Sequence, residues 1–205
     1  MFLVATLCDS RAIAMKILEE VPDKSIVLLP ETVEILGKTL VPLSKQKDLF
    51  IIYNQDIKID DKWYIAFHGI DKGEYKFRVR KFNLWDSDIE YGYTPSEPEP
   101  FVSIRNHPAS LFICYDCAKI YQLKDQLINH KTEILMISAN WQFNFNFLDQ
   151  ITNFALKYIP TLKYCILSNT NTLSFIKTRT EEKRITKPGY VKLGINEVRF
   201  SKNGL

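Results

Sequence analysis

Residues 110–138, SLFICYDCAKIYQLKDQLINHKTEILMIS, are the stretch of the chain that decides the fold. Residues 110–115 (SLFICY) predict a core strand, residues 118–130 a helix, and residues 133–138 (EILMIS) a second buried strand. A helix between two buried strands is typical of layered α/β domains, in which helices cover a sheet. We therefore expect an α/β fold with a mixed sheet.

The residues before this unit repeat the same alternation. A continuous apolar run at 25–29 (SIVLL) is expected of a strand buried on both faces, and a helix at 11–21 precedes it. Asp71-Lys72-Gly73 predicts a hairpin turn. Further strands are predicted at 2–7, 49–53, 63–67 and 75–79.

Proline and glycine limit the remaining segments. Gly37 and Pro42 are expected to break any long helix over residues 32–43, and the prolines of residues 92–108 predict a loop. Residues 178–188 are charged and are expected to be exposed. Beyond residue 138 we predict a helix at 147–158 and strands at 162–167, 172–176, 190–193 and 197–200.

Length and composition narrow the class of protein. A chain of 205 residues fits a single domain. The net charge of +3 (27 basic minus 24 acidic residues) is weak for a nucleic-acid-binding protein, so no nucleic acid is expected as partner. No stretch approaches 18 apolar residues and no secretion signal is visible, so we expect no membrane and a cytoplasmic location with reduced cysteines.

Three polar residues each follow a predicted strand. Glu31 comes after SIVLLP, Lys81 after the strand at 75–79, and Cys114 ends the strand in LFICYD. Ligand sites of open α/β folds lie at such strand ends, and a helix start would stabilise a Cys114 thiolate. Each residue also has an ordinary structural explanation: a helix-capping Glu31, a solvated Lys81 and a small buried Cys114.

Cys114 and Cys117 form a C-x-x-C pair, which leaves a second chemistry open. A zinc site needs four ligands, and neither the other cysteines nor the three histidines form a convincing second pair. The intervening Tyr115-Asp116 also fits a thioredoxin-like redox motif poorly. We therefore favour a lone nucleophilic Cys114 and expect no metal.

Taken in order, these motifs resemble the nitrilase superfamily, the carbon–nitrogen hydrolases. The similarity lies in IVLLPE at 26–31, RKFNLWD at 80–86, LFICYD at 111–116, ILMISANW at 134–141 and SNTNT at 168–172. The resemblance implies a four-layer α-β-β-α sandwich formed by one domain over residues 1–205, with a tail from about residue 177 that is atypical of the family.

The resemblance also implies a chemistry. Cys114 would be the nucleophile, Glu31 the general base and Lys81 the oxyanion-stabilising cation, acting on a small amide, carbamoyl or nitrile compound without a cofactor. The Tyr115 N–H would complete the oxyanion site, Glu90 would support Lys81, and Asn140 and Trp141 would line the pocket. A homodimer or higher homo-oligomer is implied.

Three alternatives remain at this point. An amine or another nucleophile could intercept the thioester, so that the enzyme transfers an acyl group. A degenerate family member could serve as a binding or scaffold protein. A thiol redox or metal protein could instead use Cys114 and Cys117.

Overall fold

The computed structural model describes residues 1–31, 33, 35–141 and 145–195. Helices are few and strands are many, as the sequence predicted. The helices are α1 (Arg11–Glu20), α2 (Gly37–Lys47), α3 (Asp86–Glu90), α4 (Lys124–Asn129) and α5 (Phe145–Tyr158), with a 3-10 segment at Cys114–Lys119. The strands are β1 (Phe2–Leu7), β2 (Ser25–Leu28), β3 (Phe50–Asn54), β4 (Ile57–Ile59), β5 (Lys62–Tyr64), β6 (Ala66–Asp71), β7 (Glu74–Arg80), β8 (Phe101–Ile104), β9 (His107–Ile113), β10 (Ile134–Ala139), β11 (Tyr164–Asn169), β12 (Ser174–Lys177), β13 (Glu182–Ile185) and β14 (Gly189–Gly194).

The strands form two halves of a folded sheet. One half has the order β7-β6-β3-β2-β1-β14 and the other the order β13-β12-β11-β10-β9-β8, and the two join through the pair Leu7 and Asn169. β4 and β5 form a separate hairpin. Because β1, β2 and β3 are parallel to one another, as are β9, β10 and β11, their carboxyl ends meet at one edge of the molecule.

Three apolar clusters show how the layers pack. One cluster combines inward-facing residues of both halves, such as Leu28 from β2 and Met136 from β10, so it fills the space between them. A second lies between the first half and α1 and α2, and includes Leu18. A third lies between the other half and α4 and α5, and includes Leu127. The predicted four-layer α-β-β-α sandwich is confirmed.

Buried hydroxyl groups tie the two halves together near the carboxyl ends of the strands. Ser168 of β11 accepts a hydrogen bond from the Thr6 N–H at 3.0 Å and donates to the Leu28 carbonyl at 2.8 Å. Ser138 of β10 donates to the Leu29 carbonyl at 2.8 Å. These bonds hold β2, which leads to Glu31, against the strands of the opposite half.

Two segments of the first half depart from the sequence prediction. Residues 37–47 form one helix in spite of Gly37 and Pro42. Gly37 starts α2, where a glycine is tolerated, and an added Cβ would lie 2.2 Å from the hydroxyls of Tyr53 and Tyr75. Burial of Leu40 on the same helix compensates for the hydrogen bond that Pro42 cannot make.

The predicted loop at 92–108 is wrong in its second part, where β8 and the start of β9 form a hairpin. Pro108 pairs with Ser103 of the edge strand β8, and its carbonyl accepts a hydrogen bond from the Glu133 N–H. The strand therefore loses only the hydrogen bond that a backbone N–H at position 108 would donate. The predicted strand at 63–67 is divided at Ile65 between β5 and β6.

Some predictions for the C-terminal half are also wrong. The helix predicted at 118–130 is replaced by the 3-10 segment and the shorter α4. The charged segment 178–188 contains β13, and β14 pairs with β1 along its whole length. The strand predicted at 197–200 lies outside the described residues. Within the described ranges, no helix is long and apolar enough to cross a membrane.

Candidate active site

The structure brings Glu31, Lys81 and Cys114 together at the edge where the parallel strands end. Glu31 follows β2, Lys81 follows β7, and Cys114 follows β9. The Lys81 Nζ donates to Glu31 Oε1 at 2.7 Å. The Glu31 carboxylate also accepts a hydrogen bond from the Cys114 thiol, and the charges of Glu31 and Lys81 both act on that thiol.

Lys81 is buried, with 1% of its side chain exposed, and carries two carboxylate partners. Its second partner is Asp88 of α3, with Nζ and Oδ2 2.9 Å apart. Burial disfavours the ammonium, but the charge of Glu31 and the hydrogen bonds to both carboxylates outweigh it and raise the pKa of Lys81. The raised pKa keeps Lys81 a charged ammonium at neutral pH.

The contact expected of Glu90 is made by Asp88 instead. Glu90 is exposed at the end of α3, two residues after Asp88 and therefore on the opposite side of the helix. The sequence around Lys81 contains four acidic residues between positions 86 and 97, and their spacing alone does not show which of them turns inward. Asp88 is thus a site residue that sequence reasoning missed.

Cys114 has an unusual backbone and a protonated thiol. Its φ of 50° places a non-glycine residue in the left-handed region, at the start of the 3-10 segment. Such conformations cost of order 1–3 kcal/mol and persist where surrounding contacts enforce them. Burial and the neighbouring Glu31 charge raise the pKa of Cys114 well above its ordinary value, so the resting side chain is a thiol.

Trp141 and Asn140 reach the same sulfur from the end of β10. Trp141 Nε1 donates to Cys114 Sγ at 2.8 Å, and a backbone hydrogen bond from Asn140 opposes the rise of the thiol pKa. The Asn140 side chain is exposed, whereas the Trp141 ring stacks on Phe147 with centroids 5.4 Å apart. Trp141 thus contacts the sulfur with its ring and Asn140 with its backbone, and their role in lining a pocket stays a prediction.

Asn169 fixes the position of Trp141. Its Oδ1 accepts from the Trp141 N–H and its Nδ2 donates to the Trp141 carbonyl, both at 2.8 Å. Asn169 is fully buried at the end of β11. The SNTNT segment at 168–172 indicated this strand end, but the two-bond contact with Trp141 required the fold.

Tyr115 and Asn54 complete the surroundings. Tyr115 follows Cys114 in the 3-10 segment, so its N–H belongs to the peptide next to the thiol, and its ring contacts Trp85 edge-on. Asn54, which sequence reasoning missed, donates from Nδ2 to the Glu31 carbonyl at 2.6 Å. It lies at the end of β3, beside β2, and no local pattern marks it.

Cys117 is part of the core beneath α4 and α5. It is fully buried among the apolar side chains there, and burial raises the pKa of its thiol. All four cysteines are unpaired. Among the described residues no group of three or more His, Cys, Asp or Glu side chains is arranged to hold a metal ion.

Comparisons with known proteins agree with this architecture. No family model matches the sequence, and no curated protein sequence matches it significantly. Solved structures, in contrast, match the fold over most of the chain. A CN-hydrolase superfamily protein from Xanthomonas campestris, XC1258, superposes with a TM-score of 0.79 over 96% of this chain and 90% of its own, at 11% identity. The chain has the carbon–nitrogen hydrolase fold.

Two further structures share this fold. A mutant amidase from Nesterenkonia sp. AN1, with acrylamide added at its active-site cysteine, gives a TM-score of 0.74, 11% identity and coverage of 96% of this chain and 93% of that one. Nit3 from Saccharomyces cerevisiae, a nitrilase superfamily member, gives a TM-score of 0.75 at 12% identity, with coverage of 94% of this chain and 89% of Nit3. The carbon–nitrogen hydrolase fold thus extends over nearly the whole chain.

Proposed function

We propose that the protein is a carbon–nitrogen hydrolase that cleaves a small non-peptide amide or carbamoyl compound through a cysteine thioester. One observation carries the proposal: a single carboxylate, Glu31, is bonded to a buried ammonium, Lys81, and to the thiol of Cys114. A base next to a nucleophile, with a fixed cation beside both, is the arrangement that acyl transfer requires.

The first half-reaction forms the thioester. Because the pKa of Cys114 is raised, the thiol gives up its proton to Glu31 as the sulfur attacks the amide carbon, not beforehand. The carbonyl oxygen becomes an oxyanion. The Lys81 ammonium and the Tyr115 N–H stabilise this charge, and they need little reorganisation because burial and two carboxylates already hold Lys81 in place.

Collapse of this intermediate breaks the carbon–nitrogen bond. Glu31 returns its proton to the nitrogen, which leaves as ammonia or an amine. Water then takes the place of the leaving group, Glu31 accepts a proton from it, and the resulting hydroxyl attacks the thioester. The sulfur leaves and recovers the proton from Glu31, so that acid is released and the free thiol is restored.

The structural neighbours favour an amide over a nitrile. The Nesterenkonia protein is an amidase. In the present chain Cys114 is partly exposed, whereas Cys8, Cys117 and Cys165 are buried. Cys114 is thus the cysteine that a small amide can reach.

The test is ammonia release from a panel of short aliphatic amides, carbamoyl compounds and nitriles by the purified protein. Wild type is expected to hydrolyse at least one amide or carbamoyl compound, and mass spectrometry of a quenched reaction should show the acyl group on Cys114. Cys114→Ala and Glu31→Gln are expected to lower turnover by at least about 10³-fold while the protein stays folded.

The matched control is Cys117→Ala, which removes a neighbouring thiol outside the cluster and should retain turnover. Equal loss in Cys114→Ala and Cys117→Ala, with bound metal or a disulfide, would establish the redox or metal alternative. A folded protein that neither turns over the panel nor becomes acylated would favour the binding or scaffold alternative.

A further inference from the structure

A buried carboxylate that the mechanism does not use connects the two loops of the site. Asp116, in the 3-10 segment after Cys114, is fully buried. Its Oδ1 accepts hydrogen bonds from the N–H groups of Phe82 at 3.1 Å and Asn83 at 2.6 Å. Its Oδ2 accepts from the N–H of Ile113 at 3.2 Å. One side chain therefore binds the residues next to Lys81 and the residue next to Cys114.

Other contacts support the same junction. The Asn83 side chain donates from Nδ2 to the Tyr115 carbonyl at 2.8 Å, and the rings of Phe82 and Phe112 meet edge-on with centroids 6.2 Å apart. Lys81 is bonded through its own backbone to Ile65 and Ser96, which belong to its own half of the molecule. The two N–H bonds to Asp116, together with the contacts of Asn83 and Phe82, join this loop to the opposite half.

We propose that Asp116 is a positioning residue that fixes the distance between the Lys81 ammonium and the Cys114 sulfur. This inference rests on the proposed hydrolase function. Since Lys81 stabilises the oxyanion only where it faces the carbon attacked by Cys114, a shift of the two loops against each other weakens catalysis without removing any reacting group.

The geometry requires a carboxylate. Both oxygens receive N–H donors, and an amide of the same shape would point an NH₂ group at one of these donor sets. Burial raises the pKa of Asp116 to about 8, while the N–H donors and Lys81 oppose that rise. Assays at about pH 9 therefore keep the carboxylate ionised.

The decisive variant is Asp116→Asn, compared with wild type at pH 9 on an amide that the wild type hydrolyses. We expect kcat to fall about 10- to 100-fold with KM changed less than about threefold, because the reacting groups are present but misplaced. Alkylation of Cys114 by iodoacetamide forms no oxyanion, so its rate should change less than about threefold.

A readout independent of activity accompanies the kinetics. Hydrogen exchange of the segment 80–86 should be faster in Asp116→Asn than in wild type, because the Phe82 and Asn83 amides lose their acceptor. If the wild type has no amidase activity, the hydrolase proposal fails, while this exchange measurement still tests whether Asp116 holds the loop.

Two further variants keep the inference falsifiable. Asp125→Asn alters an exposed carboxylate on α4 and should behave as wild type in every measurement. Asn83→Ala removes the bond to Tyr115 and keeps the backbone donor to Asp116, so it should lower kcat less than Asp116→Asn does. This variant replaces Asp116→Asn as the test if Asp116→Asn does not fold. Wild-type kcat in folded Asp116→Asn, or an equal loss in kcat and in alkylation rate, overturns the inference.

Discussion

At Lys81 a single buried cation is balanced by two carboxylates, and the two have different tasks. Glu31 also touches the thiol, whereas Asp88 contacts Lys81 from α3 and anchors it. We expect Asp88→Asn to lower kcat/KM about 10- to 100-fold, because a hydrogen bond to a charged group contributes about 1.5–3 kcal/mol. Steady-state kinetics of amide hydrolysis by wild type and Asp88→Asn measure this fall in kcat/KM.

The control for that variant is Glu90→Gln, which removes an exposed charge two residues away on the same helix. Its kcat/KM should stay within about twofold of wild type, since surface changes of this kind have small effects. Equal losses in the two variants would show that Lys81 responds to the charge of α3 as a whole and not to the contact with Asp88.

A second residue-scale prediction concerns the pH dependence of Cys114. Glu31 raises the thiol pKa both by its charge and by its hydrogen bond. Glu31→Gln removes the charge, so the thiolate becomes easier to form and the pKa falls. The midpoint of iodoacetamide alkylation against pH should therefore move to lower pH in Glu31→Gln, although amide turnover is lost. An unchanged midpoint would contradict the contact between Glu31 and Cys114.

The residues that sequence could predict share one property. Glu31, Lys81 and Cys114 each stand at a fixed offset from a strong apolar strand, so the strand end itself marks them. Asp88 has no such marker, and LFICYD contains Asp116 without showing its partners, because both residues contact positions 7 and 34 residues away. Only the packing of loops against each other shows them.

At the scale of elements, buried hydroxyls join β11 to β1 and β2. In Ser168→Ala the Thr6 N–H loses its acceptor, while the Leu28 carbonyl keeps a bond from the Thr6 hydroxyl. One buried unsatisfied donor costs about 1–3 kcal/mol, so the free energy of unfolding should fall by that amount in urea denaturation. Ser103→Ala, exposed on the edge strand β8, should change it by less than about 0.5 kcal/mol.

Strand positions followed from sequence better than helix positions. Apolar runs such as 25–29 and 134–138 are buried on both faces, and that burial is visible in composition alone. The helix pattern at 118–130 was misleading because Asp116 and Cys117 turn inward and hold the start of the segment in 3-10 geometry. α2 shows the opposite case, since packing of Leu40 preserves a helix across Pro42.

At the scale of the whole molecule, the long-range pairing of the C-terminal strand was beyond the sequence. The charged segment 178–188 indicates exposure, and nothing local shows that the strand following it pairs with β1 at the opposite end of the chain. Pairs such as Leu3 with Leu193 place a C-terminal residue in the central core. The tail from about residue 177 thus includes strands that complete both halves of the sandwich.

The burial of the cysteines in the layered core predicts how many thiols can be alkylated in the native protein. Cys8, Cys117 and Cys165 are fully buried in the two outer apolar clusters, and burial raises the pKa of Cys8 to about 12. Cys114 alone among the four is partly exposed. Intact-mass analysis after iodoacetamide treatment should therefore show one alkylated thiol in the native protein and four after unfolding in guanidinium.

Native Cys114→Ala is the matched control for this count and should take up no label, since the remaining thiols are within the outer layers. Two labels on the native wild type, one of them on Cys117, would mean that the core beneath α4 and α5 opens readily. A mass two hydrogens short, with neither Cys114 nor Cys117 alkylated, would mean that the pair forms a disulfide. The first result would contradict the burial of Cys117 in a closed core. The second would contradict Cys114 as a lone nucleophile, because the C-x-x-C pair could then take part in thiol–disulfide exchange.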